Sequence, residues 1–524
     1  MATLREKLQD ASRFLIAAEL VSVRGSMAET SAVKARVFAN ELVASPDIDW
    51  ISITDNAGGH PQLAPLALGR PLLYAGKEVV IHLTCKDLNR NGLESEAWML
   101  DSEGVHNILA MTGDYPVAGN SGLAKPVFDI DSVGLISLLS QMNDGLRAGG
   151  DPGHDQPLRK TSFCIGAVVN NFKVREGEVI PQYRKLEKKI ECGAGFIIHQ
   201  IGFDSRKISE LRLYMDGHGM QSVPLIGNVY VLNPGVATIF RDGRIPGVVV
   251  SQPLWEICQK QASSPDRGLA FFCELAARQI AVYRGLGFRG AYLGGVHRFP
   301  VVERILEIER SFGRDDWREF AREIQFSRPG EFFFYAQDPD TGLADARRET
   351  PRPPASTKHV TAIYQISKLS HDLIFETGTP FARLGATLCA HARDPLQGPA
   401  PMRLLERVSK TVLYHCKDCG DCSLPEIAYL CPESQCAKNQ RNGPCGGTRE
   451  GRCEVDGFGD CIWLRAWERL RHDGREQTLL DHVPVIQNQG LRRSSAWANN
   501  WLGRDHAAKT QTGPATPEEE SQPS

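Results

Sequence analysis

The sequence has no long apolar run. None of its 524 residues lies in a stretch of the roughly 18 consecutive apolar residues that a membrane-spanning helix needs. The first residues, MATLREKLQDASRF, are charged and lack the apolar core of a signal peptide or anchor. The formal net charge is only −3, so the basic excess typical of nucleic-acid-binding proteins is missing. These absences predict a cytoplasmic protein, and the length predicts two or three domains.

Cysteine is scarce outside one short tract. Eight of the fourteen cysteines fall within residues 416–461, which begin CKDCGDC. Without a secretory signal these thiols are expected in a reducing environment, where clustered cysteines more often bind metal than form disulfides. The other six are predicted to be small buried apolar side chains: Cys85, Cys164, Cys192, Cys258, Cys273 and Cys389.

Short apolar runs recur through the first 300 residues and alternate with helix-like stretches. Eight runs cover residues 13–20, 50–54, 79–85, 106–114, 163–170, 196–203, 223–232 and 290–296. Strands buried on both faces have this unbroken apolar character, and alternation with helices implies parallel pairing. The number of repeats predicts an α/β fold, a (β/α)8 TIM barrel, with an open doubly wound sheet as the alternative.

One glycine motif has the spacing of a dinucleotide fingerprint but the wrong context. Gly285, Gly287 and Gly290 fit G-x-G-x-x-G. That fingerprint needs a strand before it and a helix after it, because the helix N-terminus must face the pyrophosphate. Here a helical stretch precedes the glycines and an apolar run follows them. We therefore interpret them as a helix C-cap and turn.

Polar side chains stand at the C-terminal ends of the predicted strands, where barrel enzymes place their active sites. They are Glu19, Thr54, Asp55, His82, Thr84, Asp114, Asn170 and Gln200, with Lys188 and Lys189 nearby. The alternative for each one alone is a capping or loop-ordering role. As a set they indicate a pocket for a polar, partly anionic heterocyclic ligand.

Five segments, in order, resemble strand-end motifs of 5,10-methylenetetrahydrofolate reductase. They are RFLIAAELVSVRG, WISITDN, IHLTCKDLNRNGL, HNILAMTGDYP and KLEKKIECGAGFIIHQIGFD. The resemblance implies a (β/α)8 barrel that binds FAD at the C-terminal ends of its strands. It also implies hydride transfer between the reduced flavin and the one-carbon unit of a folate.

The resemblance further implies roles for individual residues. Glu19 matches the general acid that opens the methylene bridge, which needs a pKa raised by burial. Asp114 matches an aspartate beside the flavin pyrimidine, and Gln200 a glutamine that binds the pterin. Positions expected to line the cofactor are Thr54, His82, Thr84, Thr112, Gly113, Asp114, Asn170, Lys188 and Lys189. Thr112 stands where the short bacterial enzymes have arginine. The segment VVNNF, which contains Asn170, stands where they have a tyrosine followed by proline.

The barrel pattern ends near residue 305. We expect a connector with a proline-rich linker over 306–358, a helical cysteine-rich domain over 359–475 and a disordered tail over 503–524. The tract provides enough ligands for two four-thiolate sites: Cys416, Cys419, Cys422, Cys431, Cys436, Cys445, Cys453 and Cys461. Three cysteines spaced three apart suit a [4Fe–4S] cluster, and C-x2-C pairs also suit zinc.

The tract resembles the cysteine-rich domain of long-form methylenetetrahydrofolate reductases, which implies iron–sulfur clusters or zinc. We favour two [4Fe–4S] clusters, because a redox flavoenzyme can use an electron path. The predicted function is interconversion of methylene- and methyltetrahydrofolate by a homo-oligomer, with NAD(P)H or a ferredoxin-type carrier as electron partner. The alternatives are an electron-transfer or scaffold subunit and a folate-dependent methyltransferase.

Overall fold

The computed structural model describes residues 2–119, 122–147, 156–376 and 378–507, which form two compact units. The first unit holds the chain up to residue 353 together with residues 444–459. The second holds residues 354–443 and the chain from 460 onward. The first unit therefore takes in most of the predicted connector and one piece of the cysteine tract.

Eight strands of the first unit form a closed parallel barrel. The strands of the chain are β1 (Leu15–Leu20), β2 (Trp50–Ile53), β3 (Glu78–Thr84), β4 (Asn107–Met111), β5 (Ala118–Gly119), β6 (Gly122–Leu123), β7 (Cys164–Val169), β8 (Phe196–His199), β9 (Leu225–Tyr230), β10 (Gly290–Gly294), β11 (Tyr335–Gln337) and β12 (Ala344–Glu349). The barrel order is β1-β10-β9-β8-β7-β4-β3-β2, and each predicted apolar run overlaps one barrel strand. The (β/α)8 prediction is confirmed.

Helices separate the barrel strands and build the second unit. In chain order they are α1 (Leu4–Gln9), α2 (Thr30–Ala44), α3 (Pro65–Tyr74), α4 (Arg90–Ser102), α5 (Ser132–Asp144), α6 (Glu176–Glu191), α7 (Ser205–Gly217), α8 (Pro234–Arg241), α9 (Gln252–Gln261), α10 (Leu269–Gly285), α11 (Phe299–Ser311), α12 (Trp317–Glu323), α13 (Ala362–Ser370), α14 (Pro380–Ala390), α15 (Ala400–Tyr414), α16 (Pro432–Gln435), α17 (Ile462–His472) and α18 (Ala496–Trp501). Leu4 and Leu8 of α1 join the apolar core of the barrel. No helix within the described ranges has the length and apolar character needed to cross a membrane.

The G-x-G-x-x-G glycines lie in a helix-to-strand turn. The helix α10 ends at Gly285, and β10 begins at Gly290. Gly287, between them, has a φ of +77°, a left-handed conformation that favours glycine. The polarity is the reverse of a dinucleotide site, and the interpretation as a helix end and turn is confirmed.

Residues after 305 pack onto the barrel unit instead of forming a separate connector. The backbone N–H of Phe334 donates to Glu210 Oε2 on α7 at 2.5 Å. The N–H of Ala344, on β12, donates to Ser209 Oγ of the same helix at 3.0 Å. Both helix side chains are buried, so their hydrogen bonds anchor this segment. The structural boundary at residue 353 falls inside the predicted linker.

The second unit extends further toward the C-terminus than predicted. Residues 503–507, assigned above to a disordered tail, are described, and His506 is buried. Its Nδ1 lies 2.6 Å from Asp421 Oδ1, and its Nε2 lies 3.1 Å from Glu426 Oε1. The ordered chain therefore continues past residue 503 because two carboxylates hold this imidazole. The rest of the predicted tail, 508–524, lies outside the described residues.

Candidate functional site

A buried acid lies at the C-terminal end of β1. Glu19 is the next-to-last residue of the strand, and the hydroxyl of Tyr292, on the neighbouring strand β10, donates to its Oε1 at 3.2 Å. Burial raises the pKa of Glu19, and hydrogen bonds from Gly295 and Tyr292 oppose that rise only in part. The carboxyl therefore stays protonated to a higher pH than an exposed glutamate, as a general acid requires.

Hydrogen bonds extend from this acid across the barrel. Ser52 of β2 is paired in register with Glu19 and lies within hydrogen-bonding reach of the Tyr292 hydroxyl. Its Oγ is 2.9 Å from Nε2 of His82 on β3. Burial lowers the pKa of His82 to about 3, so this imidazole is neutral. Four strands thus share one network, in which His82 acts as a neutral hydrogen-bonding group.

Replacing Tyr292 with phenylalanine is expected to shift the pH profile of folate turnover. The hydrogen bond from Tyr292 favours the charged form of Glu19, so its removal raises the pKa of Glu19 further. If Glu19 is the general acid that the resemblance implies, turnover requires its protonated form and falls as pH rises through that pKa. The descending limb of kcat/KM should therefore move to higher pH in Tyr292→Phe.

The matched control is Tyr230→Phe at the end of the adjacent strand β9. Within the described parts of the chain, Tyr230 makes no hydrogen bond to Glu19, although burial raises its own pKa to about 12 and Glu19 adds to that rise. In Tyr230→Phe the descending limb of kcat/KM should stay at the pH that it has in wild type. The assignment of Glu19 as the acid held by Tyr292 is contradicted if the descending limb of kcat/KM moves equally in both variants. It is also contradicted if the limb moves to lower pH in Tyr292→Phe.

The residues after β2 and β3 are tied to one another. Thr54 Oγ1 accepts a hydrogen bond from the backbone N–H of Ser22 at 3.0 Å. Thr84 donates to Asp55 Oδ2 through its hydroxyl at 2.6 Å and its N–H at 3.2 Å. Burial raises the pKa of Asp55. Thr54, Asp55 and Thr84 therefore order the ends of β1, β2 and β3, which supports the capping alternative.

The TGD turn after β4 meets the loop after β2. Asp114 Oδ2 accepts a hydrogen bond from the N–H of Gly58 at 2.8 Å. Gly113 has a φ of +86°, and a Cβ there would come within 2.9 Å of the Thr84 Cβ. The preceding Thr112 is buried. Glycine is required at residue 113, and the turn holds Asp114 at the barrel end that carries Glu19.

Asn170 and Gln200 follow β7 and β8. Asn170 Nδ2 donates to the carbonyl oxygen of Gly247 at 2.8 Å, and its Oδ1 accepts from the N–H of Phe172 at 3.1 Å. The Asn170 amide therefore holds loops together, and its predicted contact with the cofactor stays a prediction. Gln200 Oε1 accepts from the N–H of Ile201 at 2.8 Å, which leaves its amide N–H groups as donors.

The two predicted lysines differ in environment. Lys189 is buried, and its Nζ donates to the carbonyl oxygen of Val168 at 2.5 Å. Burial lowers the pKa of Lys189 to about 7. Lys188 instead forms an ion pair with Glu191, 3.1 Å away on the same helix. Both lysines thus lie in the last turn of α6, where Lys189 contacts a carbonyl oxygen of β7 and Lys188 is paired within the helix.

The sequence prediction missed three inward polar residues of the barrel: Ser52, Asn228 and Tyr292. Asn228 is paired in register with Tyr292, and its buried Oδ1 has no hydrogen-bond partner among the described residues. A buried acceptor of this kind needs a partner from a ligand or water. Each of the three residues could have been found in the sequence, because Asn228, Ser52 and Tyr292 are polar side chains within otherwise apolar runs.

The first four tract cysteines surround one small cavity in the second unit. Cys416, Cys419, Cys422 and Cys431 all line it, together with Lys410 and Arg441. Burial raises the pKa of each of the four thiols, that of Cys416 to about 12, so a metal would have to displace their protons. In the described part of the chain, however, no three cysteine, histidine or acidic side chains are arranged to hold a single metal ion.

The other four tract cysteines are divided between the two units. Cys445 and Cys453 belong to the barrel unit, and Cys436 and Cys461 to the second unit. The segment 444–459 is attached to the barrel by Lys173, a buried residue of the loop after β7. Its Nζ donates to the carbonyl oxygens of Gly446 and Thr448, each at 2.5 Å. Of the six cysteines outside the tract, all of which lie in the described ranges, five are buried as predicted and Cys192 is partly exposed.

Several solved structures have folds similar to this chain. An uncharacterized protein from Clostridium thermocellum that binds two copies of 5-methyl-5,6,7,8-tetrahydrofolic acid is 11% identical, with a TM-score of 0.41 over 59% of this chain and 98% of its own. A dihydropteroate synthase from Yersinia pestis is 11% identical, with a TM-score of 0.30 over 58% and 94%. A 2,3-dimethylmalate lyase is 14% identical, with a TM-score of 0.31 over 60% and 89%.

Family models match the chain in both units. No curated protein sequence matches it. The model described as "Methylenetetrahydrofolate reductase" matches residues 5–266, half of the chain. A second model, "Methylene-tetrahydrofolate reductase C terminal", matches residues 401–489, which contain all eight tract cysteines. The chain therefore belongs to the methylenetetrahydrofolate reductase family.

Proposed function

We propose that this chain is a flavin-dependent enzyme that interconverts 5,10-methylenetetrahydrofolate and 5-methyltetrahydrofolate. The observation that carries the proposal is the buried acid Glu19, held by Tyr292 at the catalytic end of a barrel of this family. A barrel that served only as a scaffold would have no need for a buried, protonated carboxyl in this position. Family membership supports the activity, and the local geometry supports the assignment of the acid.

Glu19 supplies the proton that opens the folate bridge. The bond between the methylene carbon and N10 breaks, N10 takes the proton from Glu19, and the carbon becomes an iminium on N5. FAD, when bound and reduced, would supply the hydride that converts this carbon to a methyl group, and would itself be oxidised. Tyr292 orients the carboxyl, and the free Oδ1 of Asn228 offers an acceptor for a pterin N–H.

The loops at the same barrel end have features suited to FAD. Gly58 and Gly113 both have positive φ and no side chain, so their backbone can approach a flat ring. Asp114 bridges the two loops through Gly58 and provides a carboxylate beside them. Lys189, with a pKa near 7, can donate a hydrogen bond in either protonation state. These residues would hold the flavin.

The cysteine cavity brings together four thiols, the number of ligands of one [4Fe–4S] cluster. A zinc ion also takes four thiolates, but the electron path that a redox flavoenzyme can use favours the cluster. Lys410 and Arg441 in the same lining would offset its negative charge. We propose that this set binds one cluster, and the eight cysteines of the tract provide enough thiolates for two.

Protein purified in the dark is expected to show a flavin spectrum that dithionite bleaches fully and methyltetrahydrofolate bleaches in part. The partial bleaching follows from reversible hydride transfer out of the methyl group. The measurement is visible absorbance of the full-length protein, with folic acid, which has no methyl group to oxidise, as the control ligand. If saturating added FAD neither binds nor supports turnover, the reductase proposal is wrong.

A further inference from the structure

A large groove in the second unit opens onto the proposed cluster. Its volume is about 1660 Å³, and its walls come from α14, α15 and the loop that follows α15. Cys416, Cys419 and Cys422 all lie in its lining. The volume exceeds the roughly 300–1,000 Å³ of ordinary small-ligand pockets, so the groove is better suited to part of a protein surface.

Positive charge dominates the lining of this groove. Its lining contains three acids, of which Glu406 and Asp418 are neutralised by Arg403 and Lys410, while Asp394 is exposed. Four further cations remain at the groove: Arg393, Arg407, Lys417 and Arg493. All four are exposed, and none of them forms an ion pair within the described ranges. Clustered unpaired cations create a positive field that attracts an acidic surface.

Apolar side chains also line this groove. Leu404, on α15, is 65% exposed, and Leu388, on α14, is 48% exposed. Exposed leucines beside arginines are typical of protein interfaces, which combine an apolar centre with charged residues at the rim. A small inorganic anion would leave both leucines in water. The mixture therefore favours a protein partner with an acidic surface.

We propose that the groove docks a small acidic electron-transfer protein, which exchanges electrons with the group held by Cys416, Cys419 and Cys422. This inference rests on the proposed function. Reduction of methylene- to methyltetrahydrofolate consumes two electrons and two protons. A one-electron carrier therefore docks twice for each turnover and leaves oxidised each time, and Arg393, Arg407, Lys417 and Arg493 select it by charge.

The test measures binding of a purified acidic ferredoxin to the full-length protein by isothermal titration calorimetry. Arg393→Glu/Arg407→Glu is expected to weaken the affinity by about tenfold or more, because like charges then face each other. Higher salt should weaken wild-type binding and have less effect on the variant. The matched control, Arg36→Glu/Arg314→Glu, makes the same charge change at two exposed arginines of the barrel unit and should bind as wild type does.

Circular dichroism and iron content of both double variants establish that they are folded and loaded. Equal affinity in both variants, or no ferredoxin binding by iron-loaded wild type, overturns the docking proposal. The docking proposal is also overturned if gel filtration shows that the loss of affinity in Arg393→Glu/Arg407→Glu comes from a change in self-association. The groove would then bind a second copy of this chain. The proposed function has a separate test: it is overturned if dithionite-reduced wild type does not reduce methylenetetrahydrofolate. The result of the binding measurement does not affect that test.

Discussion

Replacing Glu19 with glutamine is expected to lower folate turnover by a factor of about 100 to 10,000, the usual contribution of a positioned general acid. Glutamine has nearly the same shape and can still accept the hydrogen bond from Tyr292, so the local structure should persist. It has no proton to give to N10. The flavin contacts are separate, and dithionite should still reduce the bound flavin in Glu19→Gln. Steady-state kinetics and the flavin spectrum measure the two effects independently.

The matched control makes the same substitution at the opposite end of the barrel. Glu78 lies at the start of β3, where its Oε2 accepts hydrogen bonds from the N–H of Leu4 at 3.1 Å and from Asn107 at 2.9 Å. Glu78→Gln should reduce stability modestly and leave folate turnover close to that of wild type. A rate of folate turnover in Glu19→Gln within about threefold of wild type would contradict the assignment of Glu19 as the general acid.

Anaerobically purified protein is expected to contain about eight irons per chain, four for each [4Fe–4S] cluster. Cys431→Ser should lower this to about four, because it removes one ligand of the set that surrounds the cavity. The broad visible absorbance of the clusters should fall in proportion. Metal analysis and absorbance of the same samples provide the measurement.

Cys192→Ser is the control for thiol loss, since Cys192 is a partly exposed cysteine outside the tract. Its iron content should equal that of wild type. About two zinc ions and negligible iron per chain would instead identify the tract as a structural zinc domain. NAD(P)H would then become the favoured reductant, and the electron path proposed through the second unit would be wrong.

The barrel was predictable because its signal is local and repeated. Each strand buries both faces, so each appears in the sequence as an unbroken apolar run such as WISI or VVIHLT. The position of Glu19 at a strand end follows from the same pattern. Its raised pKa was also foreseeable, because the residues before it are apolar and its surroundings are therefore dry.

The partners of that acid were not predictable in the same way. Tyr292 lies far from Glu19 in sequence, and only closure of the barrel brings β10 beside β1. Ser52 is opposite Glu19 because of strand register, which periodicity alone does not fix. The hydrogen-bond partner of the Asn170 amide was also unpredictable, because its acceptor Gly247 lies in a loop that is distant in sequence.

The buried ammonium of Lys173 has a consequence for the order in which the chain can fold. Its acceptors on Gly446 and Thr448 are synthesised only after residues 354–443. Until then the barrel must keep this lysine hydrated or leave a charge without acceptors in its interior, at a cost of about 1–3 kcal/mol or more. The eight barrel strands are thus translated before residues 354–443, but the barrel unit is complete only after them.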